Sequence, residues 1–495
     1  MRIRTQNLLS ALFFLTTATF LQLLFPLLQP ALPRRLPLWY GAKTLLRSAL
    51  ILSAYMLLNA CLHYLHSPTL TPEEKAALPA PETFYGSSLS AQRAAWITDN
   101  RQALELRLRM IREAETSVIL TTFSFRADNS GNTLCAALLD AADRGVQVGI
   151  LTDGYDAMTN NDGKLPFTAL AAHPNIDFHI YAPGSILRPA KAMARMHEKY
   201  LICDSGKLLL GGRNCHDYFL GSYPAKLHNL DLDVLICGGG DVIDQLTARY
   251  HEIVQHSDTI PLRPEVDPAA LQDALTELRT LAALLPSLYP AAYDDDYDYD
   301  AHTLPCRKIS LLSSDFAPAP KKPTLWHMLC RLMEAARTEV RVHTPYLICS
   351  SAMKADLARI ARAVPLQITL NSPRTSANLF GAAVYYNDRE ALLQTGADIR
   401  EYHGRHSLHA KALSIDGRLS IIGSFNFDMR STYINSELML AIDSPELAHG
   451  LNGFMDSVAQ NSQPAAEVSA RGPATIRSFL ISVLRLVERP FRHLL

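Results

Sequence analysis

The chain has 495 residues, of which 48% are hydrophobic and 19% charged, and its formal net charge is −1. That length suits two to three domains with cores of their own, and the composition excludes a disordered chain. The balanced charge excludes a global basic field that would collect nucleic acid.

The first predicted element is "LLSALFFLTTATFLQLLFPLL", Leu8 to Leu28, an uncharged run long enough for a bilayer core of about 30 Å. A second run, "SALILSAYMLLNACLHYL", covers Ser48 to Leu65. Between them lie Arg34, Arg35, Lys43 and Arg47, while Arg2 and Arg4 precede the first run. Residues 1–66 are therefore expected to be a membrane anchor, a transmembrane hairpin with its basic loop in the cytoplasm and the body outside. A rival reading takes "LLNAC" as a lipoprotein cleavage site, with Cys61 carrying the lipid. Eight cysteines are scattered without C-x-x-C or zinc spacing. They read as small buried hydrophobes.

Beyond residue 66 the pattern becomes that of an α/β body. A helical stripe over Thr98 to Glu115 leads into the strand-like "TSVILTTFSF". A helix over Leu134 to Gly145 and a strand over Val146 to Gly154 follow. The first lobe is expected over 67–260. Residues 261–305 read as a linker, because "YPAAYDDDYDYDAHTLP" is acidic, tyrosine-rich and bounded by prolines. The run lacks the ligand spacing of a metal site. A second lobe is expected over 306–462, where "LCRLMEAARTEVRVHTPYL" resembles "LRLRMIREAETSVILTTFSF". The tail, 463–495, pairs an apolar stripe with Arg477, Arg485, Arg489 and Arg492. It reads equally as a helix lying on an anionic leaflet or as one packed on the body.

The duplication carries a motif. "MHEKYLICDSGKLLLGGRN" and "LHAKALSIDGRLSIIGSFN" both fit H-x-K-x4-D-x6-G-[GS]-x-N. The first supplies His197, Lys199, Asp204 and Asn214, the second His409, Lys411, Asp416 and Asn426. In a strand, positions i and i+2 face the same way, so each His and Lys project together. Each Asp has the opposite parity and opens a turn, which suits local architecture better than contact with substrate.

This double motif resembles the phospholipase D superfamily, whose site is assembled from two such halves. The resemblance covers about residues 90–460. "GGRNCHDYF", "NLDLDVLICG", "VHTPYLI" and "GSFNFDMRSTYINSELMLAID" are similar to segments of its bacterial cardiolipin synthase branch, and most of all to the cardiolipin synthase C-like group. Glu198, between His197 and Lys199, departs from the small or neutral residue usual there.

The resemblance implies two pseudo-symmetric phospholipase D-like lobes, mixed sheets flanked by helices, behind an N-terminal transmembrane region. A neutral imidazole attacks a phosphodiester without charge repulsion and forms a phospho-histidine, and an opposing imidazolium protonates the leaving alcohol. The resemblance makes His197 the nucleophile and His409 the acid and base. Lys199, Lys411, Asn214 and Asn426 would hold the phosphoryl oxygens. Asp233 and Glu437 would orient the histidines, from their own or the facing half. The scheme requires no metal or other cofactor.

The implied activity is a membrane-bound phosphatidyl transfer making cardiolipin from phosphatidylglycerol and a second phospholipid, phosphatidylglycerol or phosphatidylethanolamine. The implied place is the bacterial inner membrane, with the body on its periplasmic face. Transfer to water, as in a phospholipase D, is the alternative. A catalytically inactive membrane scaffold is a third reading, against which both motifs are intact. The partners implied are membrane phospholipids, not nucleic acid.

Overall fold

The computed structural model describes residues 38–161, 163–185, 188–221, 228–263, 266–376, 378–468 and 475–495. The first lobe contributes strands β1 (Arg93–Ile97), β2 (Ser117–Thr122), β3 (Gln147–Asp153), β4 (Ile176–Tyr181), β5 (Tyr200–Cys203), β6 (Lys207–Gly211), β7 (Asp233–Cys237), β8 (Thr259–Pro261) and β9 (Leu304–Pro305). The second contributes β10 (Lys308–Ser313), β11 (Val340–His343), β12 (Leu366–Asn371), β13 (Asp398–Tyr402), β14 (Ala412–Ile415), β15 (Leu419–Gly423), β16 (Leu438–Asp443) and β17 (Ser462–Pro464).

The first sheet runs β9-β1-β7-β6-β5-β2-β3-β4-β8 and the second β10-β16-β15-β14-β11-β12-β13-β17. Apart from β9 the two orders are identical, strand for strand, so the repeat seen in the sequence is a repeat of topology. In each lobe three strands are parallel, β2-β3-β4 and β11-β12-β13. The motif hairpins, β5-β6 and β14-β15, run antiparallel against them.

Parallel strands need helical crossovers, which cover one face of each sheet. Leu104, Leu108, Leu134 and Leu138 pack on Val118 and Ile150 in the first lobe. Trp326, Leu329 and Met333 pack on Val342 and Ile368 in the second. The other faces meet each other: Ile202, Leu210 and Val234 share one cluster with Ile422, Leu438 and Leu440. Each such side chain contributes about 1.5–3 kcal/mol on full burial, so the lobes are joined by a core of their own.

One expectation changes. Residues 261–305 are part of the first lobe, not a linker. Helix Pro268–Leu288 puts Ala274, Leu278 and Leu285 into its core. The acidic run is held by cations of the body: Arg109 lies 4.1 Å over Tyr297, Lys207 4.4 Å over Tyr299, and Tyr299 donates to Glu113 at 2.8 Å.

The second apolar run falls in helix Leu38–His63. Among the described residues no helix is long and apolar enough to cross a membrane. The run Leu8–Leu28 lies outside the described residues. Cys61 sits inside the helix, half-buried against the second lobe, and its carbonyl oxygen lies 2.9 Å from His493 Nε2. All eight cysteines are free and the other seven are buried.

Candidate active site

Each motif histidine stands just before a central strand, where its segment pairs with a segment of the other lobe. His197 N–H donates to the Ser436 carbonyl at 3.0 Å, and His409 N–H donates to the Leu230 carbonyl at 2.8 Å. The next residue on each partner strand is an acid. Glu437 Oε2 lies 2.9 Å from His197 Nδ1, and Asp231 Oδ2 lies 2.6 Å from His409 Nδ1. Each lobe therefore orients the imidazole of the other, and the site exists only when both lobes are in place. Both carboxylates are fully buried, and the two imidazoles keep 12% and 16% of their surface. An ionised carboxylate only accepts, so each Nδ1 carries the proton and each Nε2 is left to react.

The expected orienting residue Asp233 does not touch a histidine. It is paired with Arg107 at 2.9 Å and Arg213 at 3.4 Å, all three buried. The register explains the correction: Gly211 pairs with Asp233 and Gly423 with Met439, so Asp231 is the counterpart of Glu437. "NLDLDVLIC" offers two acids in the same parity, and Asp231, two residues ahead of β7, is the one that reaches the lobe boundary.

The glycine tail of the motif has a physical cause in these same acids. A Cβ on Gly212, just past β6, would stand 2.3 Å from Asp231 Oδ1, so a side chain there would displace the acid. The second motif has Ser424 instead, and its hydroxyl donates to Glu437. Ser431 Oγ and Asn435 Nδ2 also donate to Glu437, at 2.9 and 3.3 Å.

The residue ahead of each histidine is pinned by the end of the neighbouring parallel strand. Asp153 accepts from Met196 N–H at 2.9 Å and from Arg195 at 3.0 Å. Asn371 accepts from Leu408 N–H at 2.7 Å. Asp153 and Asn371 are the last residues of β3 and β12. Sequence reading passed over both, although each is the final polar residue of a duplicated apolar strand.

The lysines stay buried, and each Nζ donates to the carbonyl of the histidine two residues before it. Lys411 Nζ also lies 3.1 Å from His409 Nε2. Burial lowers Lys199 to about 7 and Lys411 to about 8. Burial, helped by the two lysines, lowers His197 well below its ordinary value. Burial and Lys411 lower His409 to about 4, with Asp231 opposing them. Burial pushes Glu437 up to about 7 against the pull of Lys199. Burial would raise Asp231 too, but His409 and Lys411 outweigh it and hold that carboxyl below its ordinary value.

The motif aspartates lie outside the reacting centre. Asp204 adopts φ 50° and accepts from Thr116 N–H at 2.9 Å, Thr116 Oγ1 at 2.6 Å and Ser117 N–H at 3.0 Å. Asp416 adopts φ 55° and accepts from Arg337 N–H, Thr338 N–H and Thr338 Oγ1. Each thus staples the turn of its hairpin to the helix–strand corner of its own lobe. Asn214 Oδ1 accepts from Ser124 N–H at 3.3 Å, and Asn426 Oδ1 is buried without a partner among the described residues.

Glu198 turns away from the site. It receives both Nε (3.1 Å) and Nη2 (2.6 Å) of Arg249, whose Nη2 also donates to the Ser314 carbonyl at 2.9 Å. Ser314 N–H donates to the Glu437 carbonyl at 3.0 Å, and Glu437 N–H donates to Ser314 Oγ at 2.8 Å. A ring of links thus runs from His197 through Glu198, Arg249, Ser314 and Glu437 back to His197. The matching position in the second motif is Ala410.

A pocket of about 350 Å³ opens beside His197, lined among others by Phe123, Tyr155, Arg195, Tyr346, Asn426 and Arg430. Its mixture of aromatic walls, arginines and amides suits an anionic group attached to an apolar body.

The cardiolipin synthase, PLD-like domain family model matches residues 108–253 and 329–458. The chain is 30% identical over 392 residues to cardiolipin synthase C of Escherichia coli, covering 70% of this chain and 80% of that one. It is 24% identical over 381 residues to cardiolipin synthase A of Pseudomonas fluorescens, covering 76% and 71%. The crystal structure of phosphatidylserine synthase from Haemophilus influenzae shares the fold, with a TM-score of 0.62 at 13% identity, covering 86% of this chain and 98% of that one.

Proposed function

The chain belongs to the phospholipase D-like family of cardiolipin synthases, and from that premise we propose that it makes cardiolipin by transferring a phosphatidyl group to the hydroxyl of phosphatidylglycerol. The observation that carries the reading is the pair of imidazoles, each held through Nδ1 by a carboxylate of the opposite lobe, with two buried lysines beside them.

His197 Nε2 attacks phosphorus, the bond to the headgroup oxygen of the donor breaks, and His409 delivers a proton to that oxygen. In the second step His409, now neutral, takes the proton of the acceptor hydroxyl, which displaces His197 Nε2. Burial and the two lysines hold His197 neutral, which suits a nucleophile. His409 stands beside the more acidic carboxyl, which supports an imidazolium, and the incoming phosphodiester anion raises its proton affinity further. Lys199 and Lys411 neutralise the non-bridging oxygens, and Asn426 adds an amide from the pocket wall. The second phospholipid is phosphatidylglycerol or phosphatidylethanolamine, and the body works on the periplasmic face of the inner membrane.

The test is lipid analysis of a bacterial host lacking its own cardiolipin synthases. The wild-type chain is expected to restore cardiolipin, while His197→Ala and His409→Ala are not. Cardiolipin at wild-type level in both variants would overturn the mechanism. Phosphatidic acid without cardiolipin would replace the transferase reading with hydrolysis.

A further inference from the structure

A helix on a folded body normally turns its apolar stripe inward. Helix Ile476–Val487 does the reverse. Ile476, Phe479, Leu480, Val483, Leu486 and Val487 face outward, with Ile476 81%, Phe479 68% and Leu486 84% exposed. Its polar groups hold it to the body. Arg477 donates to the Pro373 carbonyl at 3.0 Å and Arg485 to Asn387 Oδ1 at 2.8 Å, while Ile481 is the one fully buried side chain, against Ala382 and Ala383. The stripe is therefore fixed in an outward position and not left there by a loose tail.

A second apolar face lies near it. Helix Leu38–His63 exposes Leu50, Ile51, Leu58 and Leu62, each by more than half, while Tyr64 just beyond it donates to the Ala190 carbonyl at 3.1 Å. The turn Arg489–Leu494 ties the two helices together. His493 reaches the Cys61 carbonyl, and Arg492 pairs with Asp388 and donates to the Cys349 carbonyl.

Both helices pack on walls of the His197 pocket. The outward helix lies on helix Leu379–Leu393, whose N-cap Asn378 lines the pocket. Helix Leu38–His63 lies on the turn Pro189–Ala192, and Ala192 and Met193 line the same pocket.

We propose that these two exposed apolar helix faces form a docking surface for an anionic phospholipid leaflet and seat the mouth of the His197 pocket on it. Charge favours this occupant. Residues 475–495 carry Arg477, Arg485, Arg489 and Arg492 against the acid Glu488; Arg492 is paired with Asp388, but Arg477 and Arg485 bond uncharged groups of the body and keep their charge, which suits a negative surface. The uncharged run Leu8–Leu28 ends ten residues before helix Leu38–His63 begins, so its sequence points to the same bilayer. The proposal deepens the phosphatidyltransferase reading and rests on it for the function of the seat. A lipid drawn a short way from the leaflet would present its phosphate to His197 while its acyl chains stay in the membrane.

The test uses the full chain in proteoliposomes containing phosphatidylglycerol, made with or without lipids brominated on the acyl chains. Phe479→Trp and Leu486→Trp are expected to add fluorescence that brominated lipid quenches. Leu284→Trp, exposed on a helix of the first lobe, is expected to add fluorescence that it does not. Absence of quenching at 479 and 486 would overturn the proposal. A blue-shifted but unquenched emission there would overturn it in favour of a protein cover, a second copy or residues 1–37. In a kinetic arm, Phe479→Glu with Leu486→Glu is expected to raise KM for vesicle phospholipid about tenfold. Turnover of a water-soluble short-chain phosphodiester should stay unchanged, and an unchanged KM would count against the seat. Quenching needs no turnover, so it decides the docking surface even if no cardiolipin is made.

Discussion

The two halves of the site share a backbone plan and differ in how each histidine is held. Around His409 the orienting acid is Asp231, placed against the bare Gly212, and the neighbouring Ala410 makes no polar link. Around His197 the orienting acid is Glu437, fed by Ser424, Ser431 and Asn435, and Glu198 closes a ring through Arg249 and Ser314. One imidazole sits beside a carboxyl held low, the other beside one pushed up to about 7. Duplication supplies two equivalent positions, and a few side chains around them are enough to shift the two orienting carboxyls in opposite directions.

The largest effect that probes this difference comes from removing the imidazoles. His197→Ala and His409→Ala are each expected to lower kcat by about 10³-fold or more. Only the His409 variant should accumulate a lipid adduct on His197, detectable by mass spectrometry of the intact chain. An adduct on neither variant would remove the distinction between nucleophile and acid.

Next come the acids. Glu437→Gln and Asp231→Asn are expected to cost about 10²-fold in kcat with folding retained, because the imidazole loses its tautomer and orientation. Asp233→Asn should act differently. It leaves Arg107 and Arg213 buried without their carboxylate, which costs about 3–5 kcal/mol of stability. It should lower Tm while the kcat of the folded fraction stays near wild type. If Asp233→Asn instead reproduces the kinetic defect of Asp231→Asn at unchanged Tm, the assignment of Asp231 is wrong.

The pH profile is a milder perturbation. The proposed mechanism needs Glu437 ionised, and its carboxyl is raised to about 7, so kcat/KM should fall as pH drops below that value. It also needs charged lysines, and Lys199 and Lys411 are lowered to about 7 and 8, so kcat/KM should fall again as pH rises. The expected curve is a narrow bell near neutrality, changing about tenfold per pH unit on the acid limb and steepening towards about a hundredfold per unit on the alkaline limb once both lysines lose their protons. Asp231→Asn should leave the acid limb in place, whereas Glu437→Gln should remove it.

The smallest expected kinetic effect is at Glu198. Glu198→Gln breaks the ring without touching the imidazole. It should lower kcat a few-fold, about 1 kcal/mol in the barrier, and shift the acid limb, with Glu198→Asp recovering part of both. A stability loss with an unshifted pH profile would reduce the ring to a lobe–lobe fastener.

Much of this was legible in the chain. The helix–strand repeat, the two motifs and the separate task of Asp204 and Asp416 follow from local order, because helix and strand periods and turn residues act over a few positions. The structure even supplies their partners from the quoted repeat: Thr116 and Thr338 stand at the same place in "AETSV" and "ARTEV". Other features were not legible. Asp231 and Asp233 have the same parity in one segment, and only the register against Gly211 says which reaches the facing lobe. Asp153 and Asn371 act through backbone contacts to segments far along the chain. The acidic tyrosine run looked solvated because its cations lie on other elements.

The sequence by itself determined two α/β repeats, two histidines and two lysines, since identity and spacing are local properties, and the class of chemistry followed from the family resemblance that these motifs carry. Only the tertiary structure decided which acid orients which histidine, what Glu198 holds, and that the last helix turns its apolar side outward. Those are outcomes of how two lobes meet across a shared core, and contacts between distant segments carry no spacing that a single chain can display.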